Sequence, residues 1–157
     1  MNLRNKSRNS GRQSGIAMVE LVILMPLLLF MFLATAELGR VLFQYNTLTK
    51  SVQYGARHAA QFALLGTTGV VNITSQLESE INNMVVHANI GGSGATLLPG
   101  LSTNDVTVTD VGGGNIQVSA SYNYQPMIGP ILPNFALAGG GMTMEFTLQA
   151  TIQMRAL

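Results

Sequence analysis

The amino-acid sequence predicts an α+β fold. One long N-terminal helix, membrane-spanning at its start, is followed by a small cap with a short helix and a three-stranded antiparallel sheet. Three observations predict it. An apolar run from Ile16 to Ala36 contains a single charge, Glu20. Beyond that run, apolar residues recur every third or fourth position as far as Ala63, the period of a helix. The C-terminal half then alternates apolar and polar residues around glycine-rich turns, the period of strands.

The chain has 157 residues, room for one domain besides its N-terminal segment. Hydrophobic residues make up 47% and charged residues only 10%, against about 25% charged in ordinary soluble domains. Mean hydropathy is +0.32. This balance points to membrane or extensive protein contact. Cysteine is absent, which excludes a disulfide framework and a thiolate metal site.

The net charge of +1 hides an asymmetry. Arg4, Lys6, Arg8 and Arg12 hold four of the eight bases, whereas the chain from Ile16 onward has four bases against seven acids. A basic segment abutting an apolar run reads as a topology signal, with the N-terminus cytoplasmic and the remainder exported. No aromatic interleaving or recognition helix supports nucleic-acid binding.

Ile16 to Ala36 would form a helix about 31 Å long, matching the bilayer hydrocarbon. The uncharged part, Leu21 to Ala36, reaches only about 24 Å. Glu20 therefore falls at or just inside the hydrocarbon boundary. Pro26 cannot donate to the Val22 carbonyl, so a kink or local loosening is expected there. Two simpler readings compete. In a plain signal anchor, Glu20 only complements the helix N-terminal dipole. In a cleavable secretory signal, Ala34-Thr35-Ala36 would be the small-x-small cleavage site.

Past Glu37, Leu38, Val41, Leu42, Tyr45, Leu48, Val52, Ala56, Ala59 and Ala63 define one helical face. No proline interrupts the pattern from Leu27 to Leu65, and Gly66 and Gly69 of "LLGTTG" end it. The organisation expected is a basic segment over 1–15, a membrane half over 16–37, an exported amphipathic half over 38–65 and a cap over 66–157.

Within the cap, "SQLE" at Ser75–Glu78 is a capping-box pattern. Leu77, Ile81, Met84, Val85 and Ala88 supply the apolar face of a helix ending near Asn89, before the loop "GGSG". "DVTVTDV", "GGGN" and "IQVSASYNY" read as a hairpin. "MTMEFTLQATIQMR" supplies a third strand with Met144, Phe146, Leu148, Ala150, Ile152 and Met154 on one face. Between them, "QPMIGPILPNFALAGGG" carries three prolines and is expected to lack a regular element. Its Met127, Ile128, Ile131, Leu132 and Phe135 would close the core or line a contact surface.

Catalytic chemistry finds no support. His58 and His87 lie on different helices without carboxylates at metal-ligand spacing, and a structural role is expected for both. Glu78 and Glu80 are two apart on a helix and face apart. The glycine clusters lack the lysine of a phosphate loop. Asn72-Ile73-Thr74 matches a glycosylation sequon, a pattern that arises easily by chance. No enzyme activity, cofactor or metal is expected, and a secreted hydrolase cut after Ala36 should have shown a catalytic constellation.

The stretches "SGIAMVELVILMPLLLFMFLATAELGR" and "SVQYGARHAA" resemble the TadE-like minor pilins, or pseudopilins, of the tight-adherence (Flp) pilus system. That resemblance implies a pilin-like fold and a leader over 1–15. It implies cleavage by a prepilin peptidase between Gly15 and Ile16, with Glu20 fifth after the cut. It also implies a single-pass protein of the bacterial inner membrane with a periplasmic cap, or a place in the extracellular pilus. Its partners would be the peptidase, other major and minor pilins, the assembly platform and the lipid bilayer. Leu21 stands where the major pilins usually have tyrosine, and Ile16 where type II secretion and type IV pilins carry phenylalanine. A cap of about ninety residues also argues for a minor component. Cleavage would leave a cationic amine on Ile16, and the Glu20 of a neighbouring subunit would neutralise it. A lone carboxylate in hydrocarbon is costly, so the pairing would set the stagger between subunits. The alternative is an uncleaved, membrane-anchored structural or adhesive envelope protein.

Overall fold

The computed structural model describes residues 11–64, 70–127, 131–132, 142–143 and 145–157, with side chains omitted at 11–14 and in the two-residue strands. It is an α+β protein. α1 spans Gly11–Phe62 and α2 spans Ser75–His87. A short 3-10 turn at Thr103–Asp105 precedes β1 (Val106–Gly112) and β2 (Asn115–Asn123). β3 (Ile131–Leu132), β4 (Met142–Thr143) and β5 (Thr147–Arg155) follow. The chain divides into two compact units after Leu38.

In the N-terminal unit, α1 continues through Pro26 although the Val22 carbonyl has lost its usual donor there. From Ile16 to Leu33 the large apolar side chains are exposed, apart from half-buried Phe30.

The second unit is built on β2. It pairs antiparallel with β1 and β5, giving the order β1-β2-β5. Gly113 and Gly114 turn the hairpin at positive φ, 63° and 77°, which an unbranched backbone adopts without steric cost. Alternation along β2 buries Ile116, Val118, Ala120 and Tyr122. Opposite them in register stand Met154, Ile152, Ala150 and Leu148 of β5, the face expected from the sequence. Leu48, Val52, Ala56, Ala59 and Ala63 of α1 join this core, as do Leu77, Ile81, Val85 and Val86 of α2. The Tyr122 hydroxyl donates to the Pro99 carbonyl at 3.0 Å, and burial raises its pKa. That bond ties down the loop that buries Leu98 and Leu101.

Several boundaries differ from the sequence reading. α2 is capped by Thr74, whose hydroxyl accepts from the Leu77 N–H at 3.2 Å. Ser75 is thus the first helical residue and no capping box forms with Glu78. At the other end Ala88 adopts a left-handed φ of 57° and donates its N–H to Met84. Ala88 is exposed and Met84 half-buried, and Val86 replaces them on the core side. α1 ends at Phe62 because Ala63 accepts from the Asn72 N–H and Leu64 bridges to Val71. Gly66 and Gly69 lie outside the described residues, as do Ile128, Phe135 and Met144. Among the described residues, the proline-containing segment contributes β3, which pairs with β4 in a two-residue antiparallel ladder. The expected third strand is therefore two strands, with Phe146 between them stacked on Tyr124 at 5.0 Å.

The expected helical face is also displaced. Leu38, Leu42 and Tyr45 are exposed, whereas Glu37, Gln44 and Ser51, spaced by seven, are buried. Beyond Tyr45 the expected residues Leu48, Val52, Ala56, Ala59 and Ala63 are buried as read. Gly55 fixes how closely α1 and α2 approach, since a Cβ there would lie 2.6 Å from Cγ2 of Val85.

Gly55→Ala should therefore destabilise the second unit by about 1–3 kcal/mol, as overpacking does. Gly39, where a Cβ would meet nothing within 4 Å, serves as the contrast. Gly39→Ala should be neutral or stabilising by up to about 1 kcal/mol. Denaturant midpoints of the two variants check the difference.

Candidate functional site

The sequence-predicted site lies at the start of α1. Helical spacing places Ile16 and Glu20 four residues apart on one face. Gly15, Ile16, Val19, Glu20 and Ile23 line a shallow exposed surface there. The Gly15–Ile16 peptide bond lies within the helix, which begins at Gly11. The Ile16 side chain is 71% exposed and a Cβ at Gly15 would meet nothing within 4 Å. Glu20 is exposed, and among the described residues it has no ion-pair partner. Its surroundings are Val19, Leu21, Ile23 and Leu24, all exposed. Arg4, Lys6 and Arg8 lie outside the described residues, and Arg12 is described only as helical backbone.

One helix among the described residues, Gly15–Phe62, is long and apolar enough to cross a membrane. Apolar side chains exposed over a whole circumference suit hydrocarbon. Thr35, exposed within this stretch, donates its hydroxyl to the Met31 carbonyl at 2.8 Å and so satisfies itself locally.

A second polar constellation, which the sequence did not signal, joins the two helices of the cap. His58 Nε2 meets Glu80 Oε2 at 3.1 Å, and Gln76 Nε2 donates to Glu80 Oε1 at 3.1 Å. The His58 ring also lies 4.8 Å from that of Phe62. The hydrogen bond from His58, reinforced by that from Gln76, holds the Glu80 carboxyl below its ordinary pKa. Only tertiary folding brings His58 to Glu80, because the two are twenty-two residues apart. Among the described residues no three His, Asp or Glu side chains converge as a metal site would need. The pair ties α1 to α2.

The fold thus defines a class, an α+β protein with an apolar N-terminal helix of membrane-anchoring character. A family comparison gives the particular resemblance: the model described as TadE-like protein matches residues 15–57. The matched segment runs from Gly15 through Glu20, Pro26 and "AELGR" into "SVQYGAR". The match covers 43 of the chain's 157 residues, a similarity confined to the long helix. Neither the curated proteins nor the solved structures contain a match.

The Glu80 interaction makes stability pH-dependent. A carboxyl whose folded pKa is depressed contributes stability present above its unfolded pKa and lost as pH falls through the folded value. Glu80→Gln should flatten the acid limb of a stability–pH profile followed by circular dichroism. An unchanged acid limb would show that the contact contributes nothing.

Proposed function

We propose that this chain is a non-enzymatic minor pilin (pseudopilin) that a prepilin peptidase processes and that takes part in assembling a Flp pilus for surface attachment. The observation that carries the reading is the grouping of Gly15, Ile16 and Glu20 on one exposed face inside the matched segment. Hydrolysis of the Gly15–Ile16 peptide bond leaves a carboxylate on Gly15 and a cationic amine on Ile16. Packing within the chain does not demand glycine at position 15, and glycine costs a helix interior up to about 1 kcal/mol relative to alanine. A protease that must reach the following bond gains both access and easier local unwinding from it. In the membrane the freed amine and Glu20 sit near the lipid boundary. In a staggered filament the carboxylate of one subunit meets the amine of the next. Apolar faces exchange lipid for neighbouring helices with little change in polarity, so this charge pair selects the register.

The other reading, an uncleaved anchor serving a structural or adhesive envelope protein, is favoured by α1 beginning at Gly11, ahead of the bond. N-terminal sequencing of the membrane-bound protein separates the two. Processing requires a mature start at Ile16, and an intact Met1 supports the anchor. Replacing Gly15 by a bulky residue should leave the longer precursor in the membrane.

Glu20→Ala should insert and mature normally, since the span becomes more apolar, and should be lost from the pilus fraction. Leaving a buried charge unpaired costs about 3–5 kcal/mol. Glu20→Gln should behave like alanine, because it keeps shape and loses charge. Pilus-fraction content at matched membrane abundance is the measurement. Wild-type incorporation of both variants would reduce Glu20 to a helix-dipole residue.

A further inference from the structure

Sheet order and strand direction together constrain how two copies of this chain can join. Among the described residues, the three-stranded sheet of the second unit ends on β1 at one side and β5 at the other. Each pairs with β2 alone there, so both present an open row of backbone groups. Natural sheets blunt such edges with charges, proline or bulges. β1 is treated so, with a register irregularity between Asp110 and Gly112. β5 is not. Its nine residues pair with β2 in unbroken register, without proline, and its only charge is Arg155 at the end.

β1 and β5 are each antiparallel to β2 and so run parallel to one another. A second copy can therefore set its β1 beside β5 of the first without being turned over. The faces also match. The polar face carries exposed Thr107 and Thr109 at the β1 edge, and exposed Gln149, Thr151 and Gln153 at the β5 edge. On the core face Val108 at one edge, and Leu148, Ile152 and Met154 at the other, are only partly buried. Ile116 and Val118 of β2, flanked by strands on both sides, are closed off. A β5–β1 joint sets polar beside polar and covers the partly buried apolar side chains, and such same-face neighbours stabilise a sheet. Charge agrees. Gly112, Asn115 and Arg155 form one row, so Asp110 and Arg155 stand at the same end of the sheet. Both are exposed, and neither has an ion-pair partner among the described residues.

Like edges fit less well. Joining β5 to β5 antiparallel requires a two-fold axis normal to the sheet. That axis turns the second copy end over end, with the part of α1 whose Leu48, Val52 and Ala56 pack in the same core. Copies anchored in one membrane cannot be so turned, because in each the chain enters the second unit at Gly39. A parallel β5–β5 joint instead sets the core face of one copy beside the polar face of the other. Sheet twist of about 20–25° per strand turns a β5–β1 neighbour by roughly 60–75° over three strands, short of reversal.

We propose that this chain associates with a second copy of itself through a heterologous joint, β5 of one copy pairing parallel with β1 of the next. The joint deepens the proposed role in assembly and rests on α1 anchoring the chain, but its test needs neither cleavage nor a pilus. The seven residues of β1 span about 23 Å. So small a contact needs the high local concentration that a shared membrane supplies.

The chain contains no cysteine, so introduced thiols report contacts between copies. Thr109 and Gln153 lie in one row, each opposite Gln117, and an unstaggered joint places them side by side. Full-length Thr109→Cys would be mixed in phosphatidylcholine vesicles with full-length Gln153→Cys, Thr151→Cys or Gln149→Cys, which cover staggered registers. Ser79→Cys on α2, mixed with Thr109→Cys in the same way, measures random collision. All five positions are exposed, so the core is untouched. After mild oxidation, at least one β5 variant should give about fivefold more disulfide-linked dimer with Thr109→Cys than Ser79→Cys gives. Each variant oxidised alone should stay at the collision level. Dimer at that level in all three mixtures overturns the joint. Abundant dimer from a β5 variant alone overturns it too, and assigns β5 to like-edge pairing. Neither result touches the mature N-terminus or the pilus fraction, which test the proposed function separately.

Discussion

Gly55 meets Val85 with no room for a methyl group, and that closeness sets how near α1 and α2 lie. Small residues continue along the same helix at Ala56, Ala59, Ala60 and Ala63, all buried. Because backbone rather than side chain fills this seam, α2 sits close enough for Glu80 to reach His58. The larger Leu48 and Val52 fill the core before the seam, alongside the buried face of β2. The C-terminus closes the arrangement, with the Leu157 N–H donating to the Ala60 carbonyl and the Ala156 N–H to Gly114. One glycine contact is thus upstream of the core, the interhelical pair and the docking of the last residues.

The hairpin and the core face of β5 were legible in the sequence because their signals are local. Two glycines at positive φ make the turn, and a period of two assigns each side chain to a face. The long helix was equally legible in extent, since an apolar run joined to a 3.6-residue period has few alternative conformations. The face it buries between Glu37 and Tyr45 was not. Periodicity reports which residues align, not whether water, lipid or protein lies opposite them. Leu38, Leu42 and Tyr45 read as a core face under the assumption of water outside, and they are exposed.

Other failures were failures of context. Thr74 and Ser75 are both good caps, and the choice between them rests on which frame turns Leu77, Ile81 and Val85 inward. Leu98 and Leu101 are almost fully buried, although an irregular segment has no period to betray them. Their signal was only the apolar content of "TLLPGL" beside a proline whose carbonyl Tyr122 holds. The His58–Glu80 contact needed the fold itself. At the candidate site the residue types and their spacing were readable, and their common face follows directly from helix geometry. The charge partner of Glu20 was not, since on the proposed reading it belongs to another subunit.

Three glycines in α1 separate what packing requires from what something else requires. Gly55 cannot be replaced without moving Val85, so the fold explains it. Gly15 and Gly39 stand in open space, and each weakens a helix that folding alone would strengthen with alanine. A weak point at Gly15 lies beside the bond proposed for cleavage, on the face that also carries Glu20. Gly39 lies between buried Glu37 and half-buried Arg40. A helix meant only to stand rigidly in a membrane gains nothing from either glycine. One that must be cut at its start, and then exchange lipid for neighbouring helices, benefits from a soft first turn. Its side chains must also make few polar commitments of their own. In the exposed span that leaves Glu20 as the charged group able to distinguish one packing register from another.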